Sequence, residues 1–471
     1  MTTAPSVHDR ALLELDRGLR SGAVSTEVDR CDAYARDESE AQPIRPSAVI
    51  RVERTAEVAH VMRVAHRHGV YVTPRAGGTG RSGGAVPVRG GWVLAFERFD
   101  ALKEIDRGDD VAVVEPGVVL GDLHAAVEAE GLFYGPDPNS WASCTVGGNI
   151  AENAGGPRAF KYGVTRDWVL GLEVVLPDGT VLEMGRRTRK GVTGYDLTAL
   201  MVGSEGTLGL VTRATLRLAA KPEAIRTLLV FVDDEGQVGP MVSAIRDARV
   251  QPRCVELLDA ITLSVLREKG AGVQVPRTAK AMLLIELDGS ETTVESDLDR
   301  LGNVFDDGGA LDVQIAKHGG DRERLWAVRR QMSRSLRERA KHKLSEDVVV
   351  PRSQIGVLLA ACRGISEAHG IVMPTYGHAG DGNLHVNFLW NDDAEKPRVD
   401  AAIEALFRET IRLRGTLSGE HGIGALKAPY LALEQSAALI DLQRGIKARF
   451  DPTGILNPGK IFAPTRGHGA C

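Results

Sequence analysis

The chain has little cysteine, no long apolar run and no large excess of either charge. Five cysteines, Cys31, Cys144, Cys254, Cys362 and Cys471, are scattered over 471 residues with no CxxC pair. Such spacing supports neither a disulfide framework nor an iron–sulfur cluster, so the thiols read as buried or incidental. No apolar stretch approaches the roughly 20 residues needed to span a bilayer. Met1 to Val7 has neither the basic start nor the apolar core of a secretion signal, so the default expectation is a cytoplasmic protein. A peripheral position at the inner membrane is compatible with that reading. A formal charge of -5, spread through both halves, argues against nucleic acid as the main partner and against a polybasic membrane anchor. Length and composition do allow several globular domains with substantial cores, roughly three at this size.

Composition shifts divide the chain. Residues 1–42 are charged, with Leu12, Leu13, Leu15 and Leu19 at helical spacing, and read as an N-terminal helical appendage. From Pro43 to about residue 220 strands and helices alternate. Ala48 to Val52 reads as a strand, Val58 to His68 as a helix and Val70 to Thr73 as a strand running into glycine. Trp168 to Leu176, the turn Pro177-Asp178-Gly179-Thr180 and Val181 to Met184 predict a hairpin. Residues 221–463 form strand-helix-strand blocks, expected to make an open antiparallel sheet covered by helices on one side. Asp321 to His342 reads there as one long Arg-rich helix and Ile440 to Phe450 as a late one; 464–471 is a tail. The fold class is α+β with two main domains.

Glycine is abundant and clustered. Pro74-Arg75-Ala76-Gly77-Gly78-Thr79-Gly80-Arg81-Ser82-Gly83-Gly84 contains a literal GxGxxG after a strand. A dinucleotide fingerprint needs a helix to start at that loop and face the pyrophosphate. Here Pro87, Gly90 and Gly91 intervene before a strand at Trp92 to Phe96, so no helix and no nicotinamide site is expected. Successive backbone N–H groups can still form an anion nest, while a lone glycine loop could equally serve as a tight turn. Two further clusters, Ser143 to Gly156 and Gly203 to Gly209, suggest one extended, phosphate-bearing ligand enclosed by backbone.

The C-terminal half carries Gly377-His378-Ala379-Gly380-Asp381-Gly382-Asn383-Leu384-His385 and, further on, Gly419-Glu420-His421-Gly422. Taken singly, each histidine is more often structural or solvated. Together His378, His385 and Glu420 offer two imidazoles and a carboxylate, a common set for a divalent transition metal with a coordination position left open. Zinc suits the set, and manganese or iron(II) fits the same donors. Asp381 is equally available to a metal by residue type. His421 is the candidate proton acceptor, or alternatively a partner that orients Glu420. Alternation along Leu384 to Trp390 puts His385 and Asn387 on one strand face. Arg329 and Ser333 stand four residues apart on the Arg-rich helix and share a face, where a guanidinium could bind carboxylate bidentately.

These motifs together resemble the vanillyl-alcohol oxidase and p-cresol methylhydroxylase superfamily, and in particular its D-2-hydroxy-acid dehydrogenase branch of D-lactate dehydrogenases, glycolate oxidase FAD subunits and D-2-hydroxyglutarate dehydrogenases. The resemblance runs from about Pro43 to Phe462. It implies FAD, with Pro74, Arg75, Gly77, Gly78, Thr79, Gly80, Ser82, Gly83 and Gly84 around the pyrophosphate. Pro136, Thr145, Gly148, Asn149 and Gly156 would line the flavin and ribityl chain, Gly206 and Val211 would reach the adenine side, and Asn457 would close the site. Some relatives attach FAD through a histidine in the first loop. Residues 74–87 hold no histidine or cysteine, so a non-covalent flavin is expected.

The same resemblance implies oxidation of a D-2-hydroxy acid to the 2-oxo acid. His378, His385 and Glu420 would hold the metal, His421 would take the hydroxyl proton, and Arg329, Ser333 and Asn387 would bind substrate. Where 2-hydroxyglutarate-specific relatives carry a lysine shortly before the strand Val348 to Pro351, this chain reads Lys343-Leu344-Ser345-Glu346-Asp347. That departure favours D-lactate or glycolate over a dicarboxylate. A metallohydrolase would have no use for the glycine clusters, while a flavin subunit relaying electrons within a larger complex is a second reading. The implied partners are the hydroxy acid and an electron acceptor such as a quinone, an electron-transfer flavoprotein or an iron–sulfur subunit; a homodimer is compatible.

Overall fold

The computed structural model describes residues 7–269, 273–316 and 319–463. They fall into two compact units: the described parts of Met1–Ala154, Val164–Lys221 and Glu420–Cys471 form the first, and those of Gly155–Gly163 and Pro222–Gly419 the second. Helix and sheet are mixed in both, as the α+β reading requires. Among the described residues no helix is long and apolar enough to cross a membrane.

The first unit is organised by helix Thr55–His68, whose Val58, Val61, Met62 and Ala65 recur at helical spacing and are completely buried. They pack on strands Ala48–Arg51 and Trp92–Ala95, which run parallel in register Ala48 with Trp92. Burying each such Val or Met side chain is worth about 1.5–3 kcal/mol. Strand Val72–Arg75 extends this sheet in parallel. It delivers the first glycine cluster directly, and no helix intervenes before Trp92. A second, five-stranded sheet contains the expected hairpin, with Val169–Val175 antiparallel to Val181–Gly185.

Two boundaries differ from the sequence expectation. The described residues before 43 are not an appendage: Ala11 and Leu15 are buried in the core beside Ile50 and Val58, and Val24–Ser25 pairs with Ala48–Arg51. The C-terminal stretch belongs to the first compact unit, because Leu456 bridges Val72 and Asn457 and Lys460 bond to the glycine-loop backbone. Gly156 lies in the short excursion Gly155–Gly163, which clusters with the second unit.

The second unit is built on a seven-stranded sheet in which every pairing is antiparallel. Strand Asn383–Trp390, one in from the sheet edge, is buried at every position, so the sheet there is covered on both faces and not on one. One face packs Leu229, Leu258, Leu284 and Tyr376 against helix residues Leu325, Trp326, Val328 and Met332. Leu384, Val386 and Phe388 point to the other and are also fully buried. The expected long Arg-rich helix is shorter and broken. Helix Gly319–Arg330 ends before Gln331, Met332–Arg337 follows, and His342–Val349 is a strand paired with Asn383–Trp390. Residues 338–341 form a mostly exposed turn, and of the expected helix only His342 enters the strand ladder.

Candidate flavin cradle and metal-donor cluster

In the first unit the three glycine clusters meet through backbone. A Cβ on Gly77 would lie 2.8 Å from the Ser143 carbonyl, and one on Gly206 would lie 2.6 Å from the Pro74 ring. A side chain on Gly78 would strike the Arg75 guanidinium, which donates to the Arg36 carbonyl at 2.5 Å. Only glycine permits these approaches. Asn457 joins the clusters at the back: its side-chain amide donates to the Gly84 carbonyl at 3.2 Å and the Glu205 carbonyl at 2.8 Å. Lys460 donates to the Val86 carbonyl at 2.6 Å.

Three buried hydroxyl or amide atoms here, Ser82 Oγ, Thr145 Oγ1 and Asn149 Nδ2, have no hydrogen-bond partner among the described residues, and neither has Glu152 Oε2. Buried polar groups are normally satisfied, so three orphans beside a glycine-walled loop fit a polar, enclosed ligand such as FAD. Of the other residues expected around it, the Pro136 carbonyl bonds the His124 ring at 3.0 Å, the Gly80 carbonyl accepts from Glu38 N–H at 3.1 Å, and Val211 pairs with Val174. Gly148 approaches Ala76, and Gly83 adopts φ +77° beside Ala41; Thr79 lies between Gly78 and Gly80 in the same helix-free loop.

The first unit also holds charges that the sequence reading passed over. Glu205 accepts N–H bonds from Ile423 and Gly424 at 2.8 and 2.7 Å. Burial pushes its carboxyl up despite those bonds. Glu152, at the end of helix Val146–Glu152, is pushed well up by burial and by Glu205 and Asp37. Burial lowers the Lys460 ammonium to about 8 against the pull of Asp37, Glu205 and Glu152.

In the second unit register sets the other constellation. His378 ends strand Thr375–His378 and lies opposite both Glu256 and Asn383; His385 lies opposite Asp347 and Tyr376. All four charged or imidazole side chains therefore share one sheet face. The His378 and His385 rings are 5.3 Å apart, nearly perpendicular. Glu420 follows Gly419, the last residue of this unit, and one ligand atom from each of His378, His385 and Glu420 lies within 4.8 Å of the others. Two imidazoles and a carboxylate so gathered suit a divalent transition metal. His378 Nδ1 is 2.5 Å from Glu256 Oε1, which leaves Nε2 as the donor nitrogen.

Asp347 anchors the turn before Glu420, accepting from Ser418 Oγ at 3.0 Å and Gly419 N–H at 2.9 Å. Its other oxygen accepts from Asn383 at 2.5 Å. Asp381 accepts from Asn383 N–H at 3.3 Å, a turn contact. Neither Glu256 nor Asp347 was singled out from sequence. The available signal was a carboxylate set inside an apolar strand, as in Cys254-Val255-Glu256-Leu257-Leu258.

Arg329 is buried, donates from Nε to Glu256 Oε2 at 2.7 Å and lies 4.6 Å over the Tyr376 ring. Ser333 lies beyond the break at Gln331, so its helical relation to Arg329 is interrupted; its hydroxyl accepts from Lys343 Nζ at 3.3 Å. Asn387 is fully buried and donates to the Pro374 and His385 carbonyls at 3.1 and 3.0 Å, while its Oδ1 has no hydrogen-bond partner among the described residues. His421 is partly buried, next to Glu420.

The FAD binding domain family matches residues 46–185, and the C-terminal domain family of FAD linked oxidases matches residues 221–461. The glycolate oxidase subunit GlcD of Bacillus subtilis is 43% identical over 433 residues, covering 91% of this chain and 92% of that protein. A D-lactate dehydrogenase of Anaerostipes hadrus is 35% identical, covering 88% of this chain and 90% of that protein. A D-2-hydroxyglutarate dehydrogenase of Stutzerimonas stutzeri is 33% identical, covering 97% and 99%. The substrate-bound structure of p-cresol methylhydroxylase superposes with a TM-score of 0.83 at 17% identity over 99% of both chains, which shows a shared fold. With both family domains matched in order and close similarity along nine-tenths of its length, this chain belongs to the FAD-linked oxidase family and is an FAD-dependent oxidoreductase.

Proposed function

We propose that the chain oxidises a D-2-hydroxy acid, D-lactate or glycolate, to the 2-oxo acid, using non-covalent FAD and one divalent metal, zinc in the first instance. The observation that carries this reading is the convergence of His378, His385 and Glu420 in a chain whose Arg329 stands one carboxylate away, joined to His378 through Glu256. The names of the relatives support the substrate class.

When bound, FAD accepts the hydride from the substrate carbon, and a metal on the His/Glu donors lowers the pKa of the substrate hydroxyl. The chain's own residues do the rest. Arg329 spends Nε on Glu256, and its two remaining nitrogens are available to pair with the substrate carboxylate. Stacking on Tyr376 limits the guanidinium's freedom, so less entropy is lost when that pair forms. His421 takes the hydroxyl proton. In the cradle, Ser82, Thr145 and Asn149 supply the polar contacts and Gly77, Gly78 and Gly206 the close backbone approach.

A D-2-hydroxyglutarate dehydrogenase is the second reading, favoured by Lys343. Its side chain is buried, reaches Ser333 and shares the sheet face of His385 and Asn387, where a second carboxylate would need a cation. Relatives named as subunits support electron delivery to a partner protein. The test is anaerobic flavin bleaching with a panel of D- and L-lactate, glycolate and D-2-hydroxyglutarate. Bleaching by D-lactate or glycolate alone supports the proposal, bleaching by D-2-hydroxyglutarate alone selects the second reading, and bleaching by none of them overturns both.

A further inference from the structure

Glu256 lies in the middle of the second unit's sheet with no exposed surface, and each of its two oxygens has a different cationic or imidazole partner. Oε1 accepts from His378 Nδ1 at 2.5 Å, and Oε2 accepts from Arg329 Nε at 2.7 Å. A carboxylate in this position is costly unless both oxygens are satisfied, and here they are. A hydrophobic residue would suit the strand Cys254–Leu258, whose other four members are apolar and buried, at less cost.

We infer that Glu256 is a positioning residue that sets the His378 metal ligand and the Arg329 carboxylate clamp from one rigid group. On the His378 side the contact selects the tautomer with Nδ1–H, turns Nε2 outward and increases its donor strength. On the Arg329 side it consumes Nε and leaves the forked end of the guanidinium, held over Tyr376, for substrate. One side chain thereby orients both groups together, as a substrate with a hydroxyl and a carboxylate on adjacent carbons would need. This inference rests on the metal and carboxylate roles proposed above.

Glu256→Gln tests it with little change in shape. An amide has one acceptor oxygen, so its NH2 must face either His378 Nδ1–H or Arg329 Nε–H, and the negative charge is lost to both. Metal affinity, measured by chelator competition on the flavin-loaded protein, should fall 10- to 100-fold. The half-saturating concentration of D-lactate in anaerobic flavin reduction should rise at least tenfold, with flavin content unchanged. Glu256→Asp, which keeps the charge but is one methylene too short to span both partners, should show the same pair of losses in weaker form. Wild-type metal affinity, or a loss confined to one of the two readouts, would overturn the inference. Failure of both variants to give flavin-loaded protein would make Glu256 a folding element and overturn it as well. His378→Ala is the control for the underlying reading: if that variant keeps its metal, the metal assignment itself fails.

Discussion

Asn457 donates its side-chain amide to the Glu205 carbonyl at 2.8 Å, joining two segments 252 residues apart in sequence. The same amide reaches Gly84, so one side chain ties the first glycine cluster to the third. Removing it leaves two buried carbonyls without that donor, at about 1–3 kcal/mol for an unsatisfied group. Asn457→Ala should therefore lower thermal stability and release FAD more readily. Melting curves and flavin content after gel filtration measure the two effects; unchanged flavin retention would mean that the cradle does not need this tie.

Flavin attachment is decided by what lines the first loop. Residues 74–87 offer no histidine or cysteine to form a bond to the ring. The purified protein should be yellow, and acid precipitation should leave the colour in the supernatant. Colour in the pellet would show a covalent link through a residue outside this loop.

Metal removal should separate the two sites, because the orphaned polar atoms of the cradle lie in the first unit and both imidazoles of the proposed metal site in the second. Chelation is expected to abolish turnover while leaving the bound flavin spectrum largely intact, with activity restored by zinc or manganese. Full activity in protein shown by elemental analysis to be metal-free would remove His378, His385 and Glu420 from the mechanism.

His421 and Arg329 should fail in different ways. His421→Ala should slow the limiting rate of flavin reduction by roughly 100- to 10,000-fold, the range for loss of a general base. Arg329→Ala should weaken substrate binding by about 2–3 kcal/mol, with partial recovery in Arg329→Lys. Single-turnover reduction distinguishes them, since the first lowers the limiting rate and the second mainly raises the half-saturating concentration.

Glu286 gives a pH prediction for the helix that carries Arg329. Burial would raise its carboxyl, but Arg322 and Arg253, with Trp326, outweigh burial and hold it at about 2 against an ordinary 4.5. A depressed carboxylate contributes stability that is complete above about pH 4.5 and is lost as pH falls toward 2. Glu286→Gln should cost on the order of 1–3 kcal/mol at pH 7, because Arg322 and Arg253 each lose one carboxylate while Arg253 keeps Asp288 and Arg322 keeps Glu323. Urea unfolding at pH 7 and at pH 4 to 3.5 should show the gap between variant and wild type narrowing with acid; a gap independent of pH would place the loss in packing.

The sequence by itself determined the local elements and the chemistry of the donor groups. The hairpin at Val169–Gly185 follows from a four-residue turn, and the missing helix after Gly84 follows from Pro87 and paired glycines, both within a few residues of what they control. The types His378, His385 and Glu420 were legible as metal donors, and alternation placed His385 and Asn387 on one face. Only the tertiary structure decided which partners those groups meet. Glu256 contacts His378 across 122 residues and Arg329 across 73, and no spacing rule reaches so far. The same applies to Asp347, which fixes the Ser418–Gly419 turn from 71 residues away. Where His342 and residues 11–25 departed from expectation, the cause was strand pairing and core burial. Those energies depend on neighbours the chain acquires only by folding, so local propensity could not report them.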